Sequence, residues 1–534
     1  MAQVQQQTGR RGPWPRRAAR GLLQPLAIDV RSLAAYRIGV AAMLLVDLAS
    51  RARDLADHYS DRGAFPRTAR IVFDHAPMFG GHPRFGWSLH MLSGETWAQA
   101  VLFAAAACFA AGMLVGYRTR LCTVASWLFL VSLHARNPLV LDAGDTLLRT
   151  IMFWSMFLPL GAAISVDRRR RPASGLERRE VLSIGGAGLL LQIAMMYWCT
   201  AFAKYVPVWN RDYLAVYYVL NVDAIVKPWG RWLLQFPEAL RWLTFCTYWL
   251  EWLGPAIALA PCLARWPRAC VVLAFWTLHL GMALTIQLGI LPWIVMVAWL
   301  AFLPGVAWDA LGRLLGETAR RAFGPRPAIG RLVATLDRSL FRRPAAPDFR
   351  LGRRGGAFVA AMLCYTAVWN VSESFCSGRD EFKLPPAWRL PAQIMGLEQW
   401  WFMFAPAPMT NDGWYALKGV LEDGAVVNLW APGEPLPVAK PKQVGATYRN
   451  QRWRRYLMCL MEPTYDIFLP DFAHWLQRRW DERYAAGRPE KRVKSVEVLY
   501  RLEETSAPDD VRPAVISMIL WKSEYEAFAR SGAK

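Results

Sequence analysis

Three residues of one stretch could act together. Tyr197 and Thr200 precede Lys204 by seven and four positions in YWCTAFAKYVPVW. Such spacings bring side chains to one face of a helix, so a phenol, a hydroxyl and an amine are presented side by side. Pro207 disfavours helix at Val206, so the helix is expected to end just after the lysine, with Trp209 placed to roof it. An amine shielded from water can work as a general base. A lysine at the end of an apolar helix can equally run its stem along the lipid and carry its charge to the headgroups. Base and anchor are both open on spacing alone.

Other ionisable residues inside apolar runs are Arg37, Asp47, Arg149, Glu251 and His279, with Gln192 and Gln287 as uncharged polar companions. Charge is costly in hydrocarbon, so each raises the question of a function and a partner. Asp145 and Arg149 stand four apart in LDAGDTLLRT, which reads either as ordinary stabilisation of a helix start or as an arginine held to grip an anionic group. Glu251 reads as an ion-pair partner of Arg149 or Arg37, or as a proton relay. His279 reads as a buried histidine rather than a ligand. It has no second histidine or carboxylate four residues on, and no metal site is expected. No phosphate-binding loop, nucleophile elbow or glycine fingerprint sits between a strand and a helix.

What must position these groups is a membrane domain. The chain has 534 residues, 54% of them hydrophobic. The apolar residues come in blocks of about 18–22, the length that crosses a hydrocarbon core ~30 Å thick. Nine spans are predicted, near 33–50, 97–116, 120–138, 146–164, 182–203, 243–263, 269–287, 289–304 and 356–372, with 269–304 readable as two spans or one broken helix. Residues 1–30 read as a retained basic cytosolic leader, 31–372 as the membrane domain and 373–534 as a polar tail. The loops 117–120, 167–180, 264–268 and 305–355 are Arg-rich, the last with eleven Arg against four acids, whereas 139–145 and 287–289 have no Lys or Arg. That asymmetry predicts a cytoplasmic N-terminus and an extracytoplasmic tail in the plasma membrane. The net charge of +22 is therefore expected to serve topology and anionic-lipid contact, not nucleic acid.

In the tail, GWYALKGVLEDGAVVNLW alternates like strands around an Asp-Gly turn. Helices are expected near 448–462 and 470–486, then a strand in KSVEVLYRLEE. The predicted fold is an all-α polytopic membrane domain carrying a C-terminal α+β domain. The segment 204–241 is expected to lie along the membrane interface. Most cysteines fall in apolar blocks, and a disulfide between Cys376 and Cys459 is open.

Several stretches resemble one family. SLAAYRIGVAAMLLVDL (32–48), HYSDRGAFP (58–66) and SLHARNPLVLDAGDTLLRTIMFWSMFLPLGAAISVD (132–167) are similar to the HTTM (horizontally transferred transmembrane) family, bacterial relatives of vitamin K-dependent gamma-carboxylase. LHLGMALTIQLGILPWIVMVAWLAFLP (278–304) and GLEQWWFMFAPAPMTNDGWYALKG (396–419) fit the same pattern. In the carboxylase a lysine five residues before a tryptophan is the proposed base toward vitamin K hydroquinone, and Lys204 and Trp209 match that spacing. The resemblance thus implies a reduced quinone as cofactor or substrate and Lys204 as the base. Asp212 stands where the family has glycine, and Gly144-Asp145 where the carboxylase has a histidine, so no histidine is carried over. The expectation is a membrane enzyme acting on a quinone-like molecule, with Arg149, Tyr197 and Glu251 lining its pocket. The alternative is a non-catalytic lipid-binding or assembly factor whose tail recruits a protein partner through aromatics around Trp400, Trp401 and Phe404. A transporter is disfavoured by the absence of paired half-sequence repeats.

Overall fold

A computed structural model describes residues 22–76, 84–170, 179–263, 265–323, 351–375, 384–506 and 515–523. The chain is mostly helical, with a small sheet region toward the C-terminus. Cys376 lies outside the described residues, and Cys459 is a buried free thiol whose Sγ faces the Leu139 carbonyl.

The helical part begins with a strand β1 (Ala27–Asp29) paired antiparallel to β2 (Glu180–Leu182). Asp29 then caps α1 (Val30–Ala52), its carboxylate accepting the Arg31 N–H at 2.8 Å. A short α2 (Leu55–Tyr59) follows. Next come α3 (Thr96–Val115), stopped by Gly116 at φ 72°, and α4 (Thr119–Arg136). Helix α5 (Ala143–Ser155) starts in a reciprocal capping box of Asp142 and Asp145. The remaining long helices are α6 (Ile184–Ala203), α7 (Pro237–Leu259), α8 (Trp266–Thr285), α9 (Leu291–Trp299), α10 (Gly305–Phe323) and α11 (Arg353–Phe375). Helix α6 is central, packing on α5, α7 and α11. Of its apolar window 78% is buried, against 28% for α3. Gly188 permits the closest approach, because a Cβ there would stand 2.4 Å from the Trp154 ring.

Among the described residues five helices are long and apolar enough to cross a membrane: α1, α3, α6, α8 and α11. The bent pair of Leu291–Phe302 and Gly305–Leu315, angled by 103°, could supply a sixth span. Helices stand at the other expected positions too, but they are shorter or more polar. Helix α5 has only 13 residues, about 20 Å at 1.5 Å per residue, and α7 carries Arg241 and Glu251. Residues 269–304 form two helices separated by Ile286–Ile290, with Gly289 at φ 61° between them. The sharp break comes later, at Leu303–Pro304.

The tail sheet has the order β4-β3-β5-β6, all antiparallel, from β3 (Asn411–Leu421), β4 (Val426–Asn428), β5 (Val493–Glu504) and β6 (Ile516–Lys522). Gly424, at φ 83°, turns β3 into β4 where the Asp-Gly pair predicted a hairpin. Helices α12 (Gln451–Met461) and α13 (Leu469–Tyr484) complete the tail. Its apolar core is continuous with the connecting loops of the helical part. Trp453, Tyr456, Phe472 and Trp475 pack in one cluster with Phe65, Phe73, Leu139, Val140, Val219 and Ile225.

Polar bonds follow the same route. Asn450 and Trp453 donate to the Asp54 carboxylate, and Asp412 at the start of β3 accepts the Asp223 N–H. Burial, reinforced by the nearby Asp223 charge, lifts the Asp412 carboxyl to about 6 from its ordinary 3.8. Because the folded value is the higher one, the charged carboxylate weakens the fold above pH 6, and that penalty fades as pH falls from 6 toward 4. Wild type should therefore gain thermal stability relative to Asp412→Asn over that interval, measured as the difference in unfolding midpoint of the two detergent-solubilised proteins at each pH. A second expectation follows from the shared core: residues 396–523 expressed alone should bind a hydrophobic dye and lack a cooperative unfolding transition. A sharp transition in the isolated tail would refute it.

Candidate functional site

Lys204 follows the last residue of α6, as Pro207 predicted, and the short helix Pro207–Asn210 begins immediately after. Its side chain does not reach a lipid surface, being only 2% exposed. Nζ donates to Glu251 Oε2 on α7 at 2.6 Å and lies 4.0 Å from the centre of the Trp209 ring. The five-residue spacing of lysine and tryptophan is thus a cation–π contact across a helix end. Trp209 is itself buried, and its Nε1–H donates to the Phe404 carbonyl of the tail at 2.9 Å. A tail residue therefore fixes the roof over the lysine.

The other residues expected beside Lys204 are divided among separate networks. Tyr197 Oη is 2.8 Å from His279 Nε2 and accepts Trp299 Nε1–H at 3.1 Å, with the Phe275 ring against its face. Thr200 donates to the Met196 carbonyl of its own helix, so its hydroxyl is used up locally. The predicted face of phenol, hydroxyl and amine is therefore broken up: helical spacing aligned the Cβ atoms, while neighbouring helices chose the bonds. His279 is a buried histidine bonded through one nitrogen, and its Nδ1 has no partner among the described residues.

Three pairings differ from expectation. Glu251 pairs with Lys204, not with Arg149 or Arg37. Arg37 donates to the Ile164 carbonyl at the opposite end of the bundle. Arg149 does not bridge Asp145, and its guanidinium is occupied by the Gly396 and Glu398 carbonyls at 2.7 and 2.8 Å. It grips tail backbone where an anionic group was considered. A helix pairing rule sees only its own helix, and here the stronger competitors come from elsewhere in the chain.

Asp145 belongs to a buried cluster that sequence reasoning did not assemble. Arg51 donates to Asp47 at 2.8 Å, to Asp145 at 2.5 Å and to the Tyr59 hydroxyl at 2.7 Å. Arg452 of α12 reaches between the same carboxylates, 2.6 Å from Asp47 and bidentate on Asp145, and also donates to the Val140 carbonyl. His134 Nε2 lies 3.6 Å from Asp145 and 3.4 Å from Arg51. Asp47, His134 and Asp145 are close enough together to hold a metal ion. Two guanidiniums already neutralise the two carboxylates, so a divalent cation would meet two fixed positive charges. The donor set fits an arginine clasp. The i,i+4 spacing of Asp47 and Arg51 was a legible signal, but nothing in NQRWRR marked Arg452 as their partner. His58 adjoins this cluster against the Trp453 ring, and burial foremost, then the charges of Arg51, Arg452 and Arg449, hold it neutral with its pKa down at about 3.

The exposed aromatic patch that would favour the non-catalytic reading, around Trp400, Trp401 and Phe404, is not formed. Trp401 is buried on Gln399, and half-exposed Trp400 bonds Glu373. Phe404 packs against the tail core.

No family model matches the chain, and neither a curated protein nor a solved structure does.

Removing one member of a buried ion network leaves uncompensated charge, at a typical cost of about 3–5 kcal/mol. Arg452→Ala should accordingly lower stability by about that much and make the 450–480 region readily cleaved by protease. Arg455→Ala, whose exposed side chain only touches the Leu141 carbonyl, should do neither. Equal protease resistance in both variants would contradict the clasp.

Proposed function

We propose that this chain is an HTTM-like integral membrane enzyme acting on a lipophilic, quinone-like molecule, with Lys204 as general base. The single observation that supports this reading is the buried Lys204–Glu251 pair beneath Trp209. A proton shared across 2.6 Å can move between Nζ and Oε2 without displacing a heavy atom. With that proton on Glu251, the free amine can take the hydroxyl proton of a hydroquinone, leaving a quinolate beside an ammonium that Trp209 steadies through its ring face. Glu251 is thus the proton partner of the base, and Trp209 holds the amine in place. In this reading the chain crosses the plasma membrane nine times, its N-terminus is cytoplasmic and its tail lies outside. The Arg-rich loops support that orientation, and α4, α5, α7 and α9 act as spans shielded by their neighbours.

The second reading is a non-catalytic lipid-binding or assembly factor whose outer tail recruits a protein. It is favoured by the fact that Lys204 and Arg149 are each engaged by groups of the same chain, as structural residues would be. The two readings separate on incubating purified protein with reduced quinones and oxygen, following oxygen uptake and quinone products by mass spectrometry. The enzyme reading expects turnover that falls at least a hundredfold in Lys204→Ala and substantially in Glu251→Gln, about 3 kcal/mol of barrier for the former. Turnover indifferent to Lys204, or none from folded wild type, would exclude Lys204 as a base toward quinols.

A further inference from the structure

At the end of the bundle away from the tail lies a cavity of about 980 Å³, framed by β1, β2, the start of α8 and the Leu303–Asp309 bend. Four arginines line it: Arg31, Arg179, Arg265 and Arg268. Arg31 is spent within the chain, paired with Asp29 at 3.0 Å and Asp309 at 2.8 Å and donating to the Gly305 carbonyl. Those bonds engage two of the three acids in the wall, though one guanidinium offsets only one of their two charges, so the wall as a whole is net positive by one. The third, Glu180, is exposed on β2.

Arg268 is different. It is 4% exposed, and among the described residues no carboxylate bridges it, although the Glu180 charge acts on it from a distance. One Nη donates to the Pro25 carbonyl at 2.7 Å, the Phe302 ring lies 5.1 Å from its guanidinium carbon, and its buried Nε has no partner. A guanidinium held in place by a carbonyl and a ring, and lining the cavity, is a preformed part of an anion site. Arg265 occupies the N-cap position of α8, which has no side-chain cap, so the positive end of a 20-residue helix opens at the same wall. Arg179 and Arg265 are exposed at the rim, and neither makes an ion pair among the described residues.

We propose that this cavity binds a phosphate group, with Arg268 beneath the anion, the α8 N-terminus behind it, and Arg179 and Arg265 closing over it. The volume suits a headgroup or a small organophosphate rather than a lone ion. The cavity sits among the Arg-rich connections, at the ends of apolar helices, so a phospholipid headgroup and a free phosphate ester would present the same chemistry. The proposal is independent of any role for Lys204, which lies at the other end of α6.

The test uses the purified full-length chain in a neutral detergent. Short-chain phosphatidylglycerol is titrated against it by calorimetry, with short-chain phosphatidylcholine and glycerol 3-phosphate as separate arms. Saturable binding of phosphatidylglycerol near one equivalent is expected, weakened at least about tenfold by Arg268→Gln, since a charge-assisted hydrogen bond is lost. Should Arg268→Gln misfold, the exposed pair Arg179→Gln and Arg265→Gln keeps the question open to test. It should weaken binding severalfold with an unchanged unfolding midpoint. Glycerol 3-phosphate displacing the lipid at matching concentrations would support the site with a soluble ester as its ligand. Binding of phosphatidylcholine that equals that of phosphatidylglycerol and ignores the arginine variants would overturn the proposal. So would no saturable binding of any probe.

Discussion

A carboxylate buried at the end of a helix bundle must find its counter-charge, and Asp145 finds two. The cluster of Asp47, Arg51, Asp145 and Arg452 is the constraint from which much of the architecture follows. Each charge in it is expensive to bury alone and tolerable only in company. Three of the four belong to α1 and α5, which pair their ends early in the chain. The fourth comes from α12, hundreds of residues later. The tail is therefore held as a component of the helical part, because its absence would leave the carboxylates with one guanidinium too few. The apolar packing agrees, with tail tryptophans and connecting-loop residues sharing one core.

The same docking reaches the proposed reactive pair. Arg149 holds the backbone at Gly396 and Glu398, and a few residues on Phe404 accepts the Trp209 indole. Trp209 in turn covers Lys204. A chain of contacts thus runs from the charge cluster through the tail to the amine, and disturbance of the tail would be felt at the roof of Lys204. Within the bundle, polar side chains are settled in small closed groups: Lys204 with Glu251, Tyr197 with His279 and Trp299, Gln192 with Gln399. Apolar surroundings offer no competing partner, so these groups bond one another, with His279 Nδ1 left over.

The two ends of α6 differ in character. At the tail end the cations bond carboxylates or carbonyls of the chain, although Arg136, Arg449 and Arg454 each keep a buried nitrogen without a partner among the described residues. At the opposite end, Arg268 keeps an unused buried donor and two arginines stand at a cavity mouth. Matched charges serve the fold, whereas surplus charge beside a cavity awaits something from outside the chain. What sets the second end apart is the cavity and the arginines at its rim.

The sequence by itself determined what depends on near neighbours. The apolar blocks became helices, with 146–164 helical only as far as Ser155, Pro207 ended α6 after Lys204, Asp423-Gly424 turned β3 into β4, and α12, α13 and β5 formed where their patterns placed them. The lysine–tryptophan spacing likewise held, as a cation–π contact. Tertiary structure alone decided the partners. Asp145 and Arg149 were spaced to pair and do not, Glu251 took Lys204 instead of an arginine, and Thr200 turned back on its own helix. The reason is physical: helical period fixes which way a side chain points, while the energy of a buried charge depends on the nearest opposite charge, and Arg452 could become that only once the tail had folded onto the helices.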